Sequence, residues 1–284
     1  MIIEEMQFIV NKAQQQNKTN LYIRSLLKEY LQIYVLNFVY LNPKYNKIFL
    51  FTGGTCLRQC FALNRLSEDL DFDLKKPIDP LELKGSLENY FKKEYLYSDL
   101  QISILQRGTQ LLLKFPVLKS LNLAYGTESD LLYVKIDLSP IISQIYNQIT
   151  ILKNTGNFNY LITSYDLPSL MSSKLVTILT RDRLSGKENI KIVKGRDYFD
   201  LLWFLEKKVI PNLSRVNDLL KATYSINQLF EDINQKVMEA TTINRQFFKQ
   251  DLMPFIDNPQ ILDGYIENYK DNYNNEKKYL VDVR

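Results

Sequence analysis

Histidine is absent from the 284 residues. That excludes Ser-His-Asp and Cys-His triads, HExxH zinc hydrolases, phosphohistidine chemistry and any nuclease with a histidine acid or base. Cysteine is scarce. Cys56 and Cys60 are too few for a thiolate zinc site and give no disulfide framework, which points to a reducing cytoplasm. Four apart on one helix, they read as small packing residues. Long apolar runs are missing too. The segment Tyr30–Leu41 is interrupted by Gln32 and Asn37 and falls short of the ~20 apolar residues that cross a bilayer. The start, Met1-Ile2-Ile3-Glu4-Glu5-Met6, lacks the basic and apolar regions of a signal peptide, so a soluble protein with no membrane partner is expected. Acid–base work is left to Asp, Glu, Lys or Tyr, and metal chemistry to carboxylates and a hard divalent ion.

What remains is an ordinary globular composition, 45% hydrophobic and 24% charged, with 19 Tyr and 15 Phe. The net charge of +4 is compatible with a polyanionic partner without requiring one. Apolar spacing predicts a helix over 21–41, stopped by Asn42-Pro43. A buried strand over 47–52, a helix over 55–63 and a strand over 66–74 follow. Further along, a helix is expected over 80–95, a hairpin of 100–106 with 109–115 and a strand over 131–138. After about residue 160 the pattern turns helical: a helix from Asp166-Leu167-Pro168 to about Leu184, a polar loop over 185–195, then helices near 197–208, 212–222, 225–240 and 243–252. Trp203 reads as core there. The Asn/Tyr/Lys-rich end from Tyr265 reads as a loosely packed tail.

The sharpest feature is Phe51-Thr52-Gly53-Gly54-Thr55 followed by Ser67-Glu68-Asp69-Leu70-Asp71-Phe72. A strand, two glycines, a hydroxyl residue and a helix make a phosphate seat. The glycines admit the ligand to the backbone, the helix start offers unpaired N–H groups, and Thr55 can add a hydroxyl. Asp69 and Asp71, two apart on a strand, aim at one side, the arrangement that holds Mg²⁺ together with triphosphate oxygens. Alone, the first feature is a turn and the second a solvated sheet face. In this order they support each other, because aligned carboxylates repel unless a cation lies among them.

Gly53-Gly54-Thr55-Cys56-Leu57-Arg58 with Arg65-Leu66-Ser67-Glu68-Asp69-Leu70-Asp71-Phe72 resembles the first motif of the AbiEii/AbiGii-type toxin nucleotidyltransferases, members of the DNA polymerase β-like superfamily. The resemblance implies an α+β fold: a nucleotidyltransferase-like mixed sheet with flanking helices over 1–160, then a C-terminal helical bundle over 161–284. It assigns the metal pair to Asp69 and Asp71, with Asp73 as a register alternative. It calls for a third carboxylate on a neighbouring strand, for which Asp137 in Tyr-Val-Lys-Ile-Asp-Leu is the candidate and a surface aspartate the plainer reading. The order Lys174, Arg181, Arg196-Asp197-x-x-Asp200 resembles the family's later motifs. By that resemblance Lys174 faces the triphosphate and Asp197 is a catalytic or organising acid. Arg181 and Arg196 are then phosphate contacts or partners of Asp197 and Asp200. A structural Arg–Asp network is the alternative.

Two departures stand out: Thr52 replaces a lysine frequent before Gly-Gly, and the 185–195 loop is long. Its Lys187, Lys191 and Lys194 read as a solvated loop, with substrate contact as the alternative. The activity implied is metal-dependent transfer of NMP from an NTP, with Mg²⁺ or Mn²⁺, to RNA such as a tRNA 3′ end. The implied setting is a cytoplasmic toxin of a toxin–antitoxin or phage-defence system with a cognate antitoxin. Competing readings are a protein or small-molecule acceptor, a non-catalytic nucleotide-binding module, and a metal-dependent nuclease.

Overall fold

Thr19 opens the first long helix, its hydroxyl accepting from the Tyr22 N–H at 3.3 Å. This is an N-cap that satisfies one orphan donor of the helix start. The computed structural model describes residues 2–181, 184–185, 190–191 and 193–282. The chain divides into two compact units, Met1–Ile141 with Ile149–Ser164, and Ile142–Gln148 with Tyr165–Arg284.

The first unit carries helices α1 (Ile2–Gln15), α2 (Asn20–Leu41), α3 (Gly53–Phe61) and α4 (Pro80–Glu94). Asn42 ends α2 in extended conformation, as Asn42-Pro43 demands. Strands β1 (Phe49–Thr52), β2 (Asp69–Leu74), β3 (Gln101–Leu105), β4 (Gln110–Pro116), β5 (Leu131–Pro140), β6 (Gln148–Thr155) and β7 (Phe158–Tyr165) form one sheet. Its order is β3-β4-β5-β2-β1-β7-β6. The sheet is mixed: β2–β5 and β1–β7 run parallel, while β1–β2, β3–β4 and β4–β5 are antiparallel. The α+β architecture expected from the sequence is therefore present.

The alternation in β2 buries Leu70 and Phe72 and leaves Asp69, Asp71 and Asp73 on the half-exposed face. Phe72 and Phe51 lie buried on the other face, with ring centroids 5.1 Å apart. Burial of this order stabilises by roughly 1.5–3 kcal/mol per large apolar side chain. It also fixes the register, since a one-residue slip would turn every aspartate inward.

The second unit holds α5 (Leu167–Thr180), the short pair β8 (Leu184–Ser185) and β9 (Ile190–Lys191), and helices α6 (Gly195–Glu206), α7 (Leu213–Leu220), α8 (Ile226–Thr241), α9 (Arg245–Leu252) and α10 (Leu262–Glu276). Asp166 caps α5 by accepting from the Ser169 N–H at 3.0 Å, and Ser225 and Gln228 form a capping box on α8. Gly195 lets α6 approach α9: a Cβ there would lie 2.2 Å from the Phe248 carbonyl oxygen. Arg215 is buried, 4.7 Å from the Tyr165 ring centroid, and donates to the carbonyls of Ser143 (3.4 Å) and Ile145 (3.2 Å). It thereby fastens the 142–148 segment to the helices.

Two expectations fail, and the structure adds two strands to a stretch with no assigned element. The stretch 148–165 is a pair of strands joined at Gly156. Exposed Leu152 and Leu161 stand on one face and Ile162 is buried on the other, so apolar residues on both faces mask the alternation. Helix α5 ends at Thr180, not Leu184, because Arg181 is extended. The tail is not loose. Among its residues α10 buries Ile266, Tyr269 and Tyr273 at helical spacing, and the Tyr269 hydroxyl donates to the Tyr198 carbonyl at 2.7 Å. Tyrosine served there as a core residue. Among the described residues, no helix is long and apolar enough to cross a membrane.

Candidate active site

Antiparallel pairing sets Thr52 opposite Asp71, and parallel pairing sets Asp71 opposite Asp137 and Asp69 opposite Lys135. Gln110 stands opposite Asp137 on the far side. Asp69, Asp71, Lys135 and Asp137 thus form a four-cornered array on one face of the sheet. Asp73 shares that face but pairs with Ser139, one step farther from Asp137.

The array is held from several sides. Lys135 Nζ lies 2.9 Å from Asp69 Oδ2 and 3.0 Å from Asp137 Oδ2. Gln110 Nε2 donates to Asp137 Oδ1 at 2.7 Å. Burial raises the Asp69 carboxyl above its ordinary range, and the Lys135 bond offsets only part of that. Burial depresses Lys135, but its bonds to Asp69 and then Asp137 leave it raised overall, hence charged.

The glycine corner abuts this array. Gly53 has φ +75°, and a Cβ there would fall 2.1 Å from Asp71 Oδ2. Only glycine accepts both the left-handed backbone and the carboxylate. A Cβ on Gly54 would meet Arg65 Nη2 at 2.7 Å, so a buried guanidinium covers the start of α3. The Thr55 side chain is fully buried and donates to the Asp69 carbonyl. Its hydroxyl ties α3 to β2, and the donors that α3 offers an anion are backbone N–H groups. The loop before β2 is fixed by Gln32, whose amide donates to the Ser67 carbonyl at 3.0 Å, and α3 is held to α2 by Arg58–Glu29 at 2.6 Å. Burial raises the Cys56 thiol well above its usual value, which removes it as a nucleophile.

In the helical unit, Lys174 Nζ lies 2.9 Å from Asp197 Oδ1 and 2.8 Å from Asp200 Oδ2. Arg181 pairs with Asp197 Oδ2. Asp200 is fully buried and Asp197 nearly so. Burial pushes the Asp197 carboxyl up, but Lys174 and Arg181 outweigh it and hold it at about 2. Arg196 binds a different partner. It reaches Asp251 through its backbone N–H (3.0 Å), Nε (3.2 Å) and Nη2 (3.2 Å), and lies 4.3 Å from the Phe255 ring centroid. Lys194 adds to the positive field on Asp197, whereas Lys187 lies outside the described residues.

Two groups beside the carboxylates escaped the sequence reading, Lys135 and Arg65. Lys135 sits two residues before Asp137 on the same strand face, which is the signal that could have found it. Among the described residues, no group of three Asp, Glu, Cys or His side chains is gathered closely enough to hold a metal ion. The donor set nonetheless suits a hard divalent ion. It is all oxygen, and two of the three carboxylates already share a cation, the Lys135 ammonium.

A search of curated proteins finds no match. Among solved structures, a candidate nucleotidyltransferase from H. pylori aligns with TM-score 0.53 at 16% identity, covering 92% of this chain and 97% of that one. JHP933 from Helicobacter pylori aligns with TM-score 0.52 at 15% identity, covering 91% and 94%. At such identities the likeness speaks to the fold. The family described as Nucleotidyl transferase AbiEii toxin, Type IV TA system matches residues 38–266, spanning the glycine corner, the three aspartates and the Lys174–Asp200 cluster. This chain belongs to the AbiEii nucleotidyltransferase toxin family of type IV toxin–antitoxin systems.

Proposed function

We propose that this member of the family acts as the toxin of a toxin–antitoxin or phage-defence system, transferring an NMP unit from an NTP to an RNA acceptor in the cytoplasm, with a tRNA 3′ end as the foremost candidate and a cognate antitoxin limiting its action. The observation that carries the reading is the register that aligns Asp71 with Asp137, and Asp69 beside them, next to the Gly53–Gly54 corner.

Asp69, Asp71 and Asp137 would hold Mg²⁺ or Mn²⁺. The chemistry such an ion supplies when bound is acidification of the acceptor hydroxyl and neutralisation of the departing pyrophosphate. The N–H groups at the start of α3 would bind phosphate oxygens, with Gly53 and Gly54 admitting them to the backbone. Asp137, to which Gln110 donates, would accept the proton of the attacking hydroxyl. Lys174 is assigned to the triphosphate and Asp197 to organising Lys174 and Arg181, following the family motif. The ion pairs of Asp197 with Lys174 and Arg181 support that reading. Arg196, engaged by Asp251, is assigned a supporting role rather than a phosphate contact.

The test is incubation of purified protein with each α-labelled NTP, Mg²⁺ or Mn²⁺, and total RNA or total protein. Label entering RNA in the wild type, and lost in Asp71→Asn, is expected. Label entering protein instead would redirect the acceptor assignment. RNA cleavage without added NTP, or equal labelling by Asp71→Asn, would overturn the mechanism.

A further inference from the structure

Carboxylates on two adjacent strands should repel, yet here two of them, Asp69 and Asp137, are drawn together by a lysine of the same face. We propose that Lys135 is a built-in counter-cation: it holds Asp69 and Asp137 in place without a divalent ion, and competes with that ion for them. The inference rests on the reading that these aspartates bind metal.

The geometry is specific. Lys135 lies directly opposite Asp69 in the parallel register and two residues from Asp137 along its own strand. Its ammonium contacts both carboxylates, at 2.9 and 3.0 Å. Gln110 takes the other oxygen of Asp137, so Lys135 occupies the side of that carboxylate turned toward Asp69. Lys135 brings one positive charge to the two carboxylates it contacts and so leaves a deficit of cation between them. A divalent ion would fill that deficit more fully than one ammonium. Lysine also suits a placeholder. Its charge is a point on a flexible stem and its side chain is 30% exposed, so the ammonium can leave without moving the strand. An arginine would bind a carboxylate through a rigid fork. Lys135 is therefore a positioning residue, acting through Asp69 and Asp137.

The test measures Mn²⁺ binding by electron paramagnetic resonance without nucleotide, for wild type, Lys135→Met, Lys135→Gln and Asp71→Asn. Removing a charge that repels the ion should tighten binding about tenfold or more in both Lys135 variants, the order expected for one like charge in a partly solvated site. In chelator both variants should melt below wild type, and Mg²⁺ should raise their melting temperatures more than it raises the wild type's. Lys135→Arg should bind Mn²⁺ no better than wild type. If wild type binds Mn²⁺, Asp71→Asn does not, and the Lys135 variants bind no tighter, the counter-cation role is overturned while the metal site stands. If Asp71→Asn binds as well as wild type, or none of the proteins binds, the metal reading falls and this inference with it.

Discussion

Replacing Gly53 by alanine tests the corner directly. Gly53 has φ +75°, where an alanine costs about 1–2 kcal/mol. The new Cβ would also lie 2.1 Å from Asp71 Oδ2, so the carboxylate must move. Overpacking of this kind adds about 1–3 kcal/mol. Gly53→Ala should therefore destabilise by about 2–5 kcal/mol. Gly156→Ala is the internal control: its φ is +55° and nothing lies within 4 Å of the added carbon, so only the backbone cost, about 1–2 kcal/mol, is expected. Urea unfolding followed by far-ultraviolet circular dichroism gives both values. A double variant, Gly53→Ala with Asp71→Ala, removes the clashing carboxylate, leaving only the residue-71 Cβ at 3.0 Å, and should lose less than the two single changes combined, with coupling of about 1 kcal/mol or more. Gly53→Ala proving no costlier than Gly156→Ala, or strictly additive with Asp71→Ala, would refute the close approach of Asp71 to the backbone.

The remaining predictions concern stability. Asp197→Asn should cost up to about 3–5 kcal/mol at pH 7, because it removes a buried carboxylate that pairs with both Lys174 and Arg181, although Lys174 keeps Asp200. The Asp197 carboxyl sits at about 2 rather than 3.8, so its contribution is complete above pH ~4 and fades as pH falls through about 2. Urea unfolding between pH 5 and about 2 should show a slope in wild type that Asp197→Asn lacks, and parallel curves would contradict this assignment. Thr55→Val should cost about 1–2 kcal/mol by orphaning the Asp69 carbonyl. Unchanged stability with lost nucleotide affinity would instead mean that the hydroxyl serves the ligand. Tyr273→Ala should cost about 3–5 kcal/mol, since its ring is buried and its hydroxyl donates to Asn234 at 2.7 Å. A neutral melting curve would show that α10 adds little.

The glycine corner and the aspartate strand were legible because local rules govern both. Glycines mark a left-handed turn, and alternation on a half-buried strand assigns faces without knowledge of neighbours. The Lys174, Asp197 and Asp200 positions were legible through the resemblance to the family's later motifs. What stayed hidden depends on register or on distant chain. That Lys135 faces Asp69 follows only from how β5 pairs with β2. Arg196 finds Asp251, 55 residues away, and no spacing rule reaches that far. Thr55 shows the converse: its hydroxyl reads as a phosphate donor in the sequence, but it donates to the Asp69 carbonyl of β2, because a buried carbonyl needs a partner. In α10 the tyrosines carried the apolar stripe, which a count of Asn and Lys conceals.

The excursion of residues 142–148 shapes how this protein can be divided. The polypeptide leaves the sheet after β5, is fastened among the helices by Arg215, and returns to build β6 and β7 before departing again. Neither unit is a single continuous stretch, so no one cleavage of the backbone frees either of them whole. Separating the two fragments of a chain cut between β7 and α5 would leave residues 142–148 on the sheet fragment without their arginine anchor. Isolating the sheet would require rejoining Ile141 to Ile149 with a short bridge, a topological debt incurred by that one detour.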